Sequence, residues 1–403
     1  MRKWLNRALA VLFIAFLCTV FCVTMVQHGR MYAYGFFKSY KEKLPKNPTI
    51  LDNIEARIYK LNGNANERLF LRDEMRVLNA RFQSLLGKDI YDVGGKDTVR
   101  LANGAYYDMF TQKSTYEKME ELIDFSIRLE EEMNIPTAFV YCHGGVYEES
   151  LLPEKYRPMD DNNAFADEFI EAFKKAGISV TDSRVAYRTA GLTPDQAIFN
   201  SDIHWTHRMA LETAAEAVRN LNRDFDLGLD ETALDYERFV DEVHKDIFKG
   251  EIAQRLGLGI VDVDDIHLLY PAYDTHIEYT SEKTGVKIEK SGSFSETVVD
   301  REKMNIDSDD GYSTTAYYIY GDYLARLHTI NKDAADKKIL IFKDSYGTPV
   351  SAYFTLVAGE LIAIDLRSTN ESIEAIVREI QPDVVIFAYS QQMLRKFDYV
   401  IAE

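Results

Sequence analysis

The sequence has few cysteines, and their positions limit what can hold the fold together. Cys18 and Cys22 lie in an apolar N-terminal run, and Cys142 is the only cysteine beyond it. The part of the chain after that run therefore cannot form a disulfide within itself. A domain without disulfides depends on a large apolar core. A chain of 403 residues with 12% aromatics can build such a core as one elaborated domain or two.

A surplus of basic residues is also missing. Residues 1–30 hold four Lys/Arg and no Asp/Glu, so residues 31–403 carry 43 basic against 65 acidic side chains. Proteins that bind a nucleic-acid backbone use a basic surplus to displace its counterions. The composition therefore argues against nucleic acid as a ligand. The chain also has no internal repeat and no low-complexity tract.

Charge is absent from one long segment near the N-terminus. The 19 residues Ala8 to Val26 include no charged side chain, and Arg2, Lys3 and Arg7 precede them. This length suffices for one helix across a hydrocarbon core of ~30 Å. A cleaved signal peptide, the alternative, has a shorter apolar region of about 7–15 residues and a small-residue cleavage site, which "TMVQHG" does not provide. The run predicts a transmembrane anchor over residues 1–27, with the N-terminus cytoplasmic and the remainder outside.

The rest of the chain divides into two predicted regions. Residues 28–90 are expected to form a membrane-proximal stalk with short helices, because 51–86 has helical spacing interrupted at 62–64. Residues 91–403 show helix and strand patterns in alternation. Helices are predicted at 114–134, 167–177, 207–222 and 371–381, and strands at 135–142, 178–183, 337–345, 361–367 and 382–390. This alternation predicts an α/β domain with a mostly parallel sheet between helices.

The stretch from about 223 to 335 breaks this rhythm. It is rich in Asp, Tyr and Thr, and we interpret it as a partly β insertion into the α/β domain. Its tyrosine-rich segment "GYSTTAYYIYGDY" has two interpretations. It is either a carbohydrate platform over a cleft, where rings stack on sugar faces, or the core of the insertion itself.

Three polar residues distant in sequence are candidates for a catalytic triad. Ser345 directly follows the apolar run "ILIF" and Lys343-Asp344, and Asp202 and His204 precede the predicted helix 207–222. Ligands of open α/β sheets collect at the carboxyl ends of the strands, where these loops would meet. Ser345 would be the nucleophile, His204 the general base and acid, and Asp202 the group that orients the imidazole.

Simpler interpretations of the same residues stay open. A lone Asp-Ser after a strand is often a helix N-cap, and Asp-x-His is a common pattern. Asp202, His204 and His207 could instead bind a metal, although His207 has no obvious further partner, and we predict no metal or other cofactor. The G-x-S-x-G elbow of α/β hydrolases is absent around Ser345.

Several blocks resemble one family in a specific order. "SDIHWT" resembles the Asp-x-His-Trp signature of the DHHW family and of the SGNH-type alginate O-acetylation proteins. "KKILIFKDSYGTPVSAYF", "LIAIDLR" and "PDVVIFAYSQQML" resemble their serine block and closing strands. Three departures are Ile203 inside the signature, Lys343 in place of a glycine, and His143 in a segment where these proteins often have lysine. The resemblance spans roughly residues 85–395.

The resemblance implies an SGNH-like three-layer α/β/α domain with Ser345, His204 and Asp202 as its triad. Candidates for the oxyanion hole or for substrate contact are Tyr346, Arg367 and His143, with a salt bridge to Asp344 or Asp365 as the alternative for Arg367. The implied activity is extracytoplasmic O-acyl transfer, with acetyl as the expected acyl group, to a cell-envelope polysaccharide. A multipass membrane O-acyltransferase would supply the acyl group. An esterase of the same polymer and a catalytically inert glycan-binding protein are the alternative functions.

Overall fold

The computed structural model describes residues 2–38, 40–41, 44, 48–92, 95–111, 119–308, 310–395 and 401. The chain separates into two compact units, with the boundary between Leu86 and Gly87. Parts of the predicted stalk, residues 39, 42–43 and 45–47, and the start of one predicted helix, 114–118, lie outside the described residues.

The described residues of the first unit include three α-helices: α1 Arg2–Phe37, α2 Ile50–Arg68 and α3 Arg72–Leu85. In the described part of the chain, α1 is the helix long and apolar enough to cross a membrane, and it continues well past the predicted end of the anchor at residue 27. The predicted interruption at 62–64 is wrong, because α2 runs on to Arg68. One glycine inside a helix costs only about 1 kcal/mol, which packing of α2 against α1 offsets.

The second unit begins with a small antiparallel sheet and then alternates helices and strands up to residue 225. The small sheet comprises β1 Ile90–Asp92, β2 Asp97–Arg100 and β3 Tyr106–Asp108. The alternating elements are α4 Met119–Met133, β4 Thr137–Cys142, α5 Asn162–Lys175, β5 Ser179–Asp182, α6 Ser183–Ala190, α7 Pro194–Ala197 and α8 His207–Phe225. All the helices and strands predicted here are present, although α5 begins five residues before its predicted start.

The remaining elements belong to the insertion and to the closing part of the α/β domain. The insertion contains β6 Phe239–Phe248, α9 Glu251–Leu256, β7 Asp264–Pro271, β8 Ile277–Lys283, β9 Val286–Gly292, α10 Phe294–Thr297 and β10 Arg326–Asn331. After it come β11 Ala335–Lys343, α11 Gly347–Phe354, β12 Ala358–Ile364, α12 Ile373–Ile380, β13 Val384–Ser390 and α13 Gln391–Arg395.

The main sheet has eight strands in the order β5-β4-β13-β11-β12-β10-β8-β9. The first five strands are parallel, as the sequence predicts, and the last three are antiparallel additions from the insertion. The partly β character of the insertion is therefore confirmed. Its use of β10, β8 and β9 to extend the parallel sheet was not predicted.

Alternate residues of the central strands face two separate cores. Ile339 and Ile341 of β11 point into a core shared with α6, α8, α11 and the insertion. Leu340 and Phe342 point into the other core, against α4, α5 and α12. Successive side chains of a strand project to opposite faces, so a nearly continuous apolar strand is buried between two helical layers. This is the predicted three-layer α/β/α arrangement.

Candidate active site

Ser345 lies at the carboxyl end of the central strand β11, in the turn that leads into α11. Its neighbour Asp344 fixes this turn. One carboxylate oxygen of Asp344 accepts hydrogen bonds from the backbone amides of Tyr346 (2.9 Å) and Gly347 (3.2 Å). The other accepts from the amide (2.9 Å) and the hydroxyl (2.6 Å) of Ser390 at the end of β13. The serine turn is thereby tied to the neighbouring strand.

The buried Asp344 carboxyl is electrostatically costly to hold. Its burial raises the pKa above the usual aspartate range, while the hydrogen bonds from Ser390 and Gly347 oppose that shift. Such a group persists in a core only when its oxygens are satisfied, as the four donors do here. Asp344 is therefore a structural anchor of the turn.

His204 joins Ser345 to Asp202 through its two ring nitrogens. The His204 Nε2 atom lies 2.9 Å from Ser345 Oγ, and its Nδ1 atom lies 2.5 Å from Asp202 Oδ1. The side chains of Asp202 and His204 are both buried, whereas Ser345 is half-buried. The three residues that the sequence selected thus meet in the order nucleophile, imidazole and carboxylate, with hydrogen-bonding distances at both steps.

The Asp202 carboxylate is held by more than the imidazole. Oδ1 also accepts the His204 amide (2.9 Å), and Oδ2 accepts the amide of Glu251 (2.7 Å) at the start of α9. Burial would raise the pKa of Asp202, but His204 and these backbone amides together lower it below its usual value. Asp202 is therefore held in its ionised form, which favours a proton on Nδ1 of the imidazole.

The insertion approaches Asp202 very closely at Gly250. A Cβ atom at this position would lie 2.4 Å from the Asp202 Cβ and 2.6 Å from the carbonyl oxygen of Ser201. The backbone amide of Gly250 donates to the Ser201 hydroxyl (2.9 Å). Only glycine leaves room for the Glu251 amide to reach the Asp202 carboxylate without displacing it.

A half-buried carboxylate of the insertion supports the loop before Asp202. Asp264 at the start of β7 accepts the amides of Asn200 (2.8 Å) and Ser201 (2.6 Å) on separate oxygens. Burial raises the pKa of Asp264 to about 6 despite these hydrogen bonds. Two backbone amides of this loop thus donate to the same titratable carboxylate, that of Asp264.

The raised pKa of Asp264 predicts a pH-dependent stability. The folded protein binds this proton more tightly than the unfolded chain, whose carboxyl has a pKa near 3.8. The resulting stabilisation is present below pH 3.8 and is lost as the pH rises through about 6, by up to roughly 3 kcal/mol. We expect urea titrations from pH 4 to 7 to show wild type losing stability relative to Asp264→Asn. Parallel curves for the two proteins would contradict this.

Tyrosines of the insertion and of the serine turn enclose the His204 ring. The Tyr317 ring stacks on it with a centroid distance of 4.0 Å, and the Tyr346 ring lies at 4.8 Å on a tilted plane. The Tyr317 hydroxyl donates to the carbonyl oxygen of Ser345 (3.1 Å), and Tyr317 is itself buried. This tyrosine of the "GYSTTAYYIYGDY" segment therefore packs in the core and supports the imidazole. Tyr318, half-buried, meets the same ring edge-on at 6.1 Å.

Lys343 also connects the insertion to the serine turn. Its buried ammonium group donates to the carbonyl oxygen of Tyr323 (2.6 Å) and to the Thr348 hydroxyl (3.1 Å) in α11. Burial lowers the pKa of Lys343 to about 8, although Asp365 and Asp344 favour its charged form. Lys343, noted above as standing in place of a glycine, thus spans two segments with its long side chain.

The other three predicted site residues have different surroundings. The Tyr346 amide is already donated to Asp344, and its hydroxyl donates to the carbonyl oxygen of Ile203. Arg367 forms a bidentate ion pair with Asp365, at 2.9 and 2.5 Å, which is one of the salt bridges left open above.

His143 is fully buried beneath the ring of Tyr147, with a centroid distance of 5.1 Å. Its burial and the nearby Arg184 lower the pKa of the imidazole to about 4. It is therefore neutral at physiological pH.

In the part of the chain that the structure describes, the Ser345 amide has no hydrogen-bond partner, unlike the amide of Tyr346.

Sequence reasoning missed the residues that support the triad from the insertion. Glu251 acts through its backbone amide and Gly250 through its small size, so neither side chain gives a chemical signal. Asp264 and Tyr317 are ordinary residues in an acidic, tyrosine-rich stretch. The glycine that precedes the short helical pattern in "FKGEIAQRL" was the available clue.

No protein-family model matches this sequence, and no curated protein matches it. Solved structures do match. A DHHW family protein from Eubacterium siraeum aligns with a TM-score of 0.57 and 15% identity, covering 78% of this chain and 98% of that one. Bacillus cereus PatB1, solved with a sulfonyl adduct, aligns with a TM-score of 0.56 and 14% identity, covering 75% and 97%.

The O-acetyltransferase domain of Pseudomonas putida AlgJ aligns more loosely, with a TM-score of 0.41 and 12% identity over 74% of this chain and 92% of that one, and the fold assignment does not depend on it. The first two likenesses span about three quarters of this chain and nearly all of each matched chain. The chain therefore shares its α/β/α fold with the DHHW family protein and with PatB1.

Proposed function

We propose that this chain is a membrane-anchored serine O-acyltransferase that acetylates a cell-envelope polysaccharide outside the cytoplasm. The observation that carries the proposal is the unbroken contact from Ser345 Oγ through both nitrogens of His204 to Asp202, at 2.9 and 2.5 Å. The helix α1 supports a single-pass anchor by its length and composition. The acetyl group and the polysaccharide acceptor follow from the resemblance of the Asp-x-His-Trp and serine blocks.

The proposed reaction has two halves. In the first, Ser345 Oγ attacks the acyl carbonyl, its proton passes to His204 Nε2, and the leaving group departs with that proton, which leaves an acyl ester on Ser345. In the second, a sugar hydroxyl gives its proton to His204 and attacks the ester, and the proton returns to Ser345. Asp202 stabilises the imidazolium in both halves.

Each half passes through an anionic tetrahedral intermediate that needs hydrogen-bond donors. The Ser345 amide is our candidate, because it belongs to the attacking residue and has no partner in the described part of the chain. The Tyr346 amide, expected beside it, is a poor candidate because Asp344 already accepts its hydrogen bond. Loss of one such donor typically costs 10²–10³ in rate.

Acyl-CoA is cytoplasmic, so an enzyme on the outer side needs an exported acyl group. A multipass O-acyltransferase in the same membrane is the proposed donor partner. Anchoring by α1 would keep this chain in the same membrane as its donor partner.

The proposal is tested with full-length protein in detergent and p-nitrophenyl acetate as donor. We expect an acetyl ester on the peptide that contains Ser345, detected by mass spectrometry, and faster release of p-nitrophenol when an oligosaccharide acceptor is added. Acetylated oligosaccharide as product supports transfer. Acetate as the sole product would favour the esterase, and absence of any acetyl ester together with tight sugar binding would favour an inert glycan-binding protein.

Gly250 offers a test of how closely the insertion positions Asp202. In Gly250→Ala, the new methyl group would occupy space within 2.4 Å of the Asp202 Cβ, so the carboxylate must shift. Displacements of about 1 Å at a catalytic group can cost 10²-fold, and we expect that loss in kcat with little change in KM. Gly63→Ala is the control for glycine replacement, because Gly63 lies inside helix α2 and a Cβ there would meet nothing within 4 Å. Activity equal to wild type in Gly250→Ala would contradict the role given to the insertion.

A further inference from the structure

Helix α3 carries an exposed apolar stripe. Leu78, Phe82 and Leu85 recur at spacings of four and three residues and are 70%, 59% and 85% exposed, and Leu86 extends the stripe. These spacings place the side chains on one face of a helix. Single exposed apolar residues are common on soluble proteins, whereas a continuous stripe marks a surface that is covered by something.

A hydrogen bond holds the beginning of α3 next to Thr24 of α1. The amide of Phe70, in the turn between α2 and α3, donates to the Thr24 hydroxyl (3.0 Å). Thr24 is two residues before the end of the apolar run at Val26, a rise of about 3 Å along a helix. Leu69 and Met75 line the same apolar cavity as several side chains of that run: Phe16, Leu17, Val20, Phe21 and Met25.

We infer that α3 lies in the membrane surface on the outer side, with its apolar stripe in the boundary between headgroups and acyl chains. This inference rests on the proposed membrane-spanning role of α1. If α1 crosses the bilayer, the turn at Phe70 stands where the hydrocarbon ends, and α3 starts two residues later. The apolar stripe of α3 is then covered by lipid, the same bilayer that surrounds α1.

The composition of α3 fits this location. The helix contains Arg72, Arg76 and Arg81 against Asp73 and Glu74. An amphipathic helix with an apolar face and arginines binds at a bilayer surface through buried apolar area and attraction to anionic headgroups. Asn79 and Arg81 are both exposed and border the stripe on its two sides, where headgroups would meet them.

Depth-dependent fluorescence quenching tests the inference on the full-length chain. Cys18 and Cys22 are replaced with serine, while Cys142 is left because it is buried and unreactive. An environment-sensitive dye is attached at Phe82→Cys or, independently, at Leu85→Cys. The protein is reconstituted in vesicles of phosphatidylcholine and phosphatidylglycerol, and quenching by spin-labelled lipid is compared with quenching by aqueous iodide.

Two further labelled positions serve as references. Ile54→Cys is a matched exposed apolar site on α2, which is 49% exposed. It lies one helical turn from Arg57, which donates to the Phe36 carbonyl oxygen, about 15 Å of helix beyond Val26. Phe13→Cys reports whether α1 is in the bilayer at all.

We expect the dyes at 82 and 85 to be quenched at least severalfold more by lipid than the dye at 54, which iodide should quench. Strong lipid quenching at 13 with iodide quenching at 82 and 85 would overturn the inference about α3 and leave the anchor intact. Loss of lipid quenching at 13 would overturn the anchor and this inference together. Protection at 82 that disappears on dilution to one chain per vesicle would assign the stripe to a second copy of the chain, and would also overturn it.

Discussion

Ser345→Ala should lose nearly all acyl transfer, with kcat falling by about 10⁴-fold or more and no acetyl ester formed on the protein. The physical reason is that the alanine has no oxygen to attack the acyl carbonyl, while the rest of the site is unchanged. Ser345 is half-buried and its hydroxyl contacts His204, so the loss of one hydroxyl leaves the core intact. The measurement is p-nitrophenol release together with the intact mass of the protein after mixing with p-nitrophenyl acetate.

The control for this variant is Ser150→Ala, which removes an exposed serine hydroxyl of the same unit. It should react like wild type. Thermal unfolding of Ser345→Ala should stay close to that of wild type, which separates loss of chemistry from loss of fold. An acetyl ester that still forms and turns over at the wild-type rate in Ser345→Ala would show that Ser345 is not the nucleophile.

Asp202→Asn should reduce kcat by about 10⁴-fold while the fold is retained. With its single oxygen in the place of Oδ2, the asparagine can still accept the hydrogen bond from the Glu251 amide, but it loses the bond from the His204 amide, which Oδ1 accepts in the wild type. Its NH₂ group, however, faces Nδ1 of the imidazole as a donor, which favours a proton on Nε2. In that tautomer His204 cannot accept the Ser345 proton, and the carboxylate charge that stabilises the imidazolium is also gone.

The rate should be measured from pH 6 to 9 with KM determined at each pH. A loss confined to kcat is expected, because Asp202 contacts the imidazole and no acyl donor. Asp365→Asn, at a buried aspartate that pairs with Arg367, provides the control for removing a buried carboxylate elsewhere in the same unit. Equal kcat values for Asp202→Asn and wild type would exclude Asp202 as the orienting carboxylate.

The fold and the three central residues of the site could be predicted from the sequence because their signals are local. A continuous apolar run such as 339–342, followed within three residues by Asp344 and Ser345, indicates a strand end and a turn with few alternatives. Asp202 and His204 are neighbours in sequence, so their contact is nearly dictated by the chain. The prediction that they contact Ser345 required only one further rule, that the loops at the carboxyl ends of parallel strands lie close together.

The remaining parts of the site depend on contacts between segments that carry no local signal. The Glu251 amide reaches Asp202 through the backbone, and any residue type would donate the same bond. The Tyr346 amide donates to Asp344 because of the shape of the serine turn, which the sequence does not reveal. This amide is therefore not the free oxyanion-hole donor that its position after Ser345 predicted. Likewise, the helix break between α2 and α3 fell at Leu69–Leu71 and not at the asparagines, because packing on α1 outweighs a weak local propensity.

The insertion has a consequence for how activity would fail on heating or in mild denaturant. It supplies the Glu251 amide, the Asp264 carboxylate and the Tyr317 ring, whereas Ser345 belongs to the parallel strands. Cooperative segments of one protein open at different free energies, and outer strands open before central ones. Amide hydrogens of α9 and β7, which carry Glu251 and Asp264, should therefore exchange with deuterium sooner than those of β11, and inactivation should track the opening of these segments ahead of global melting.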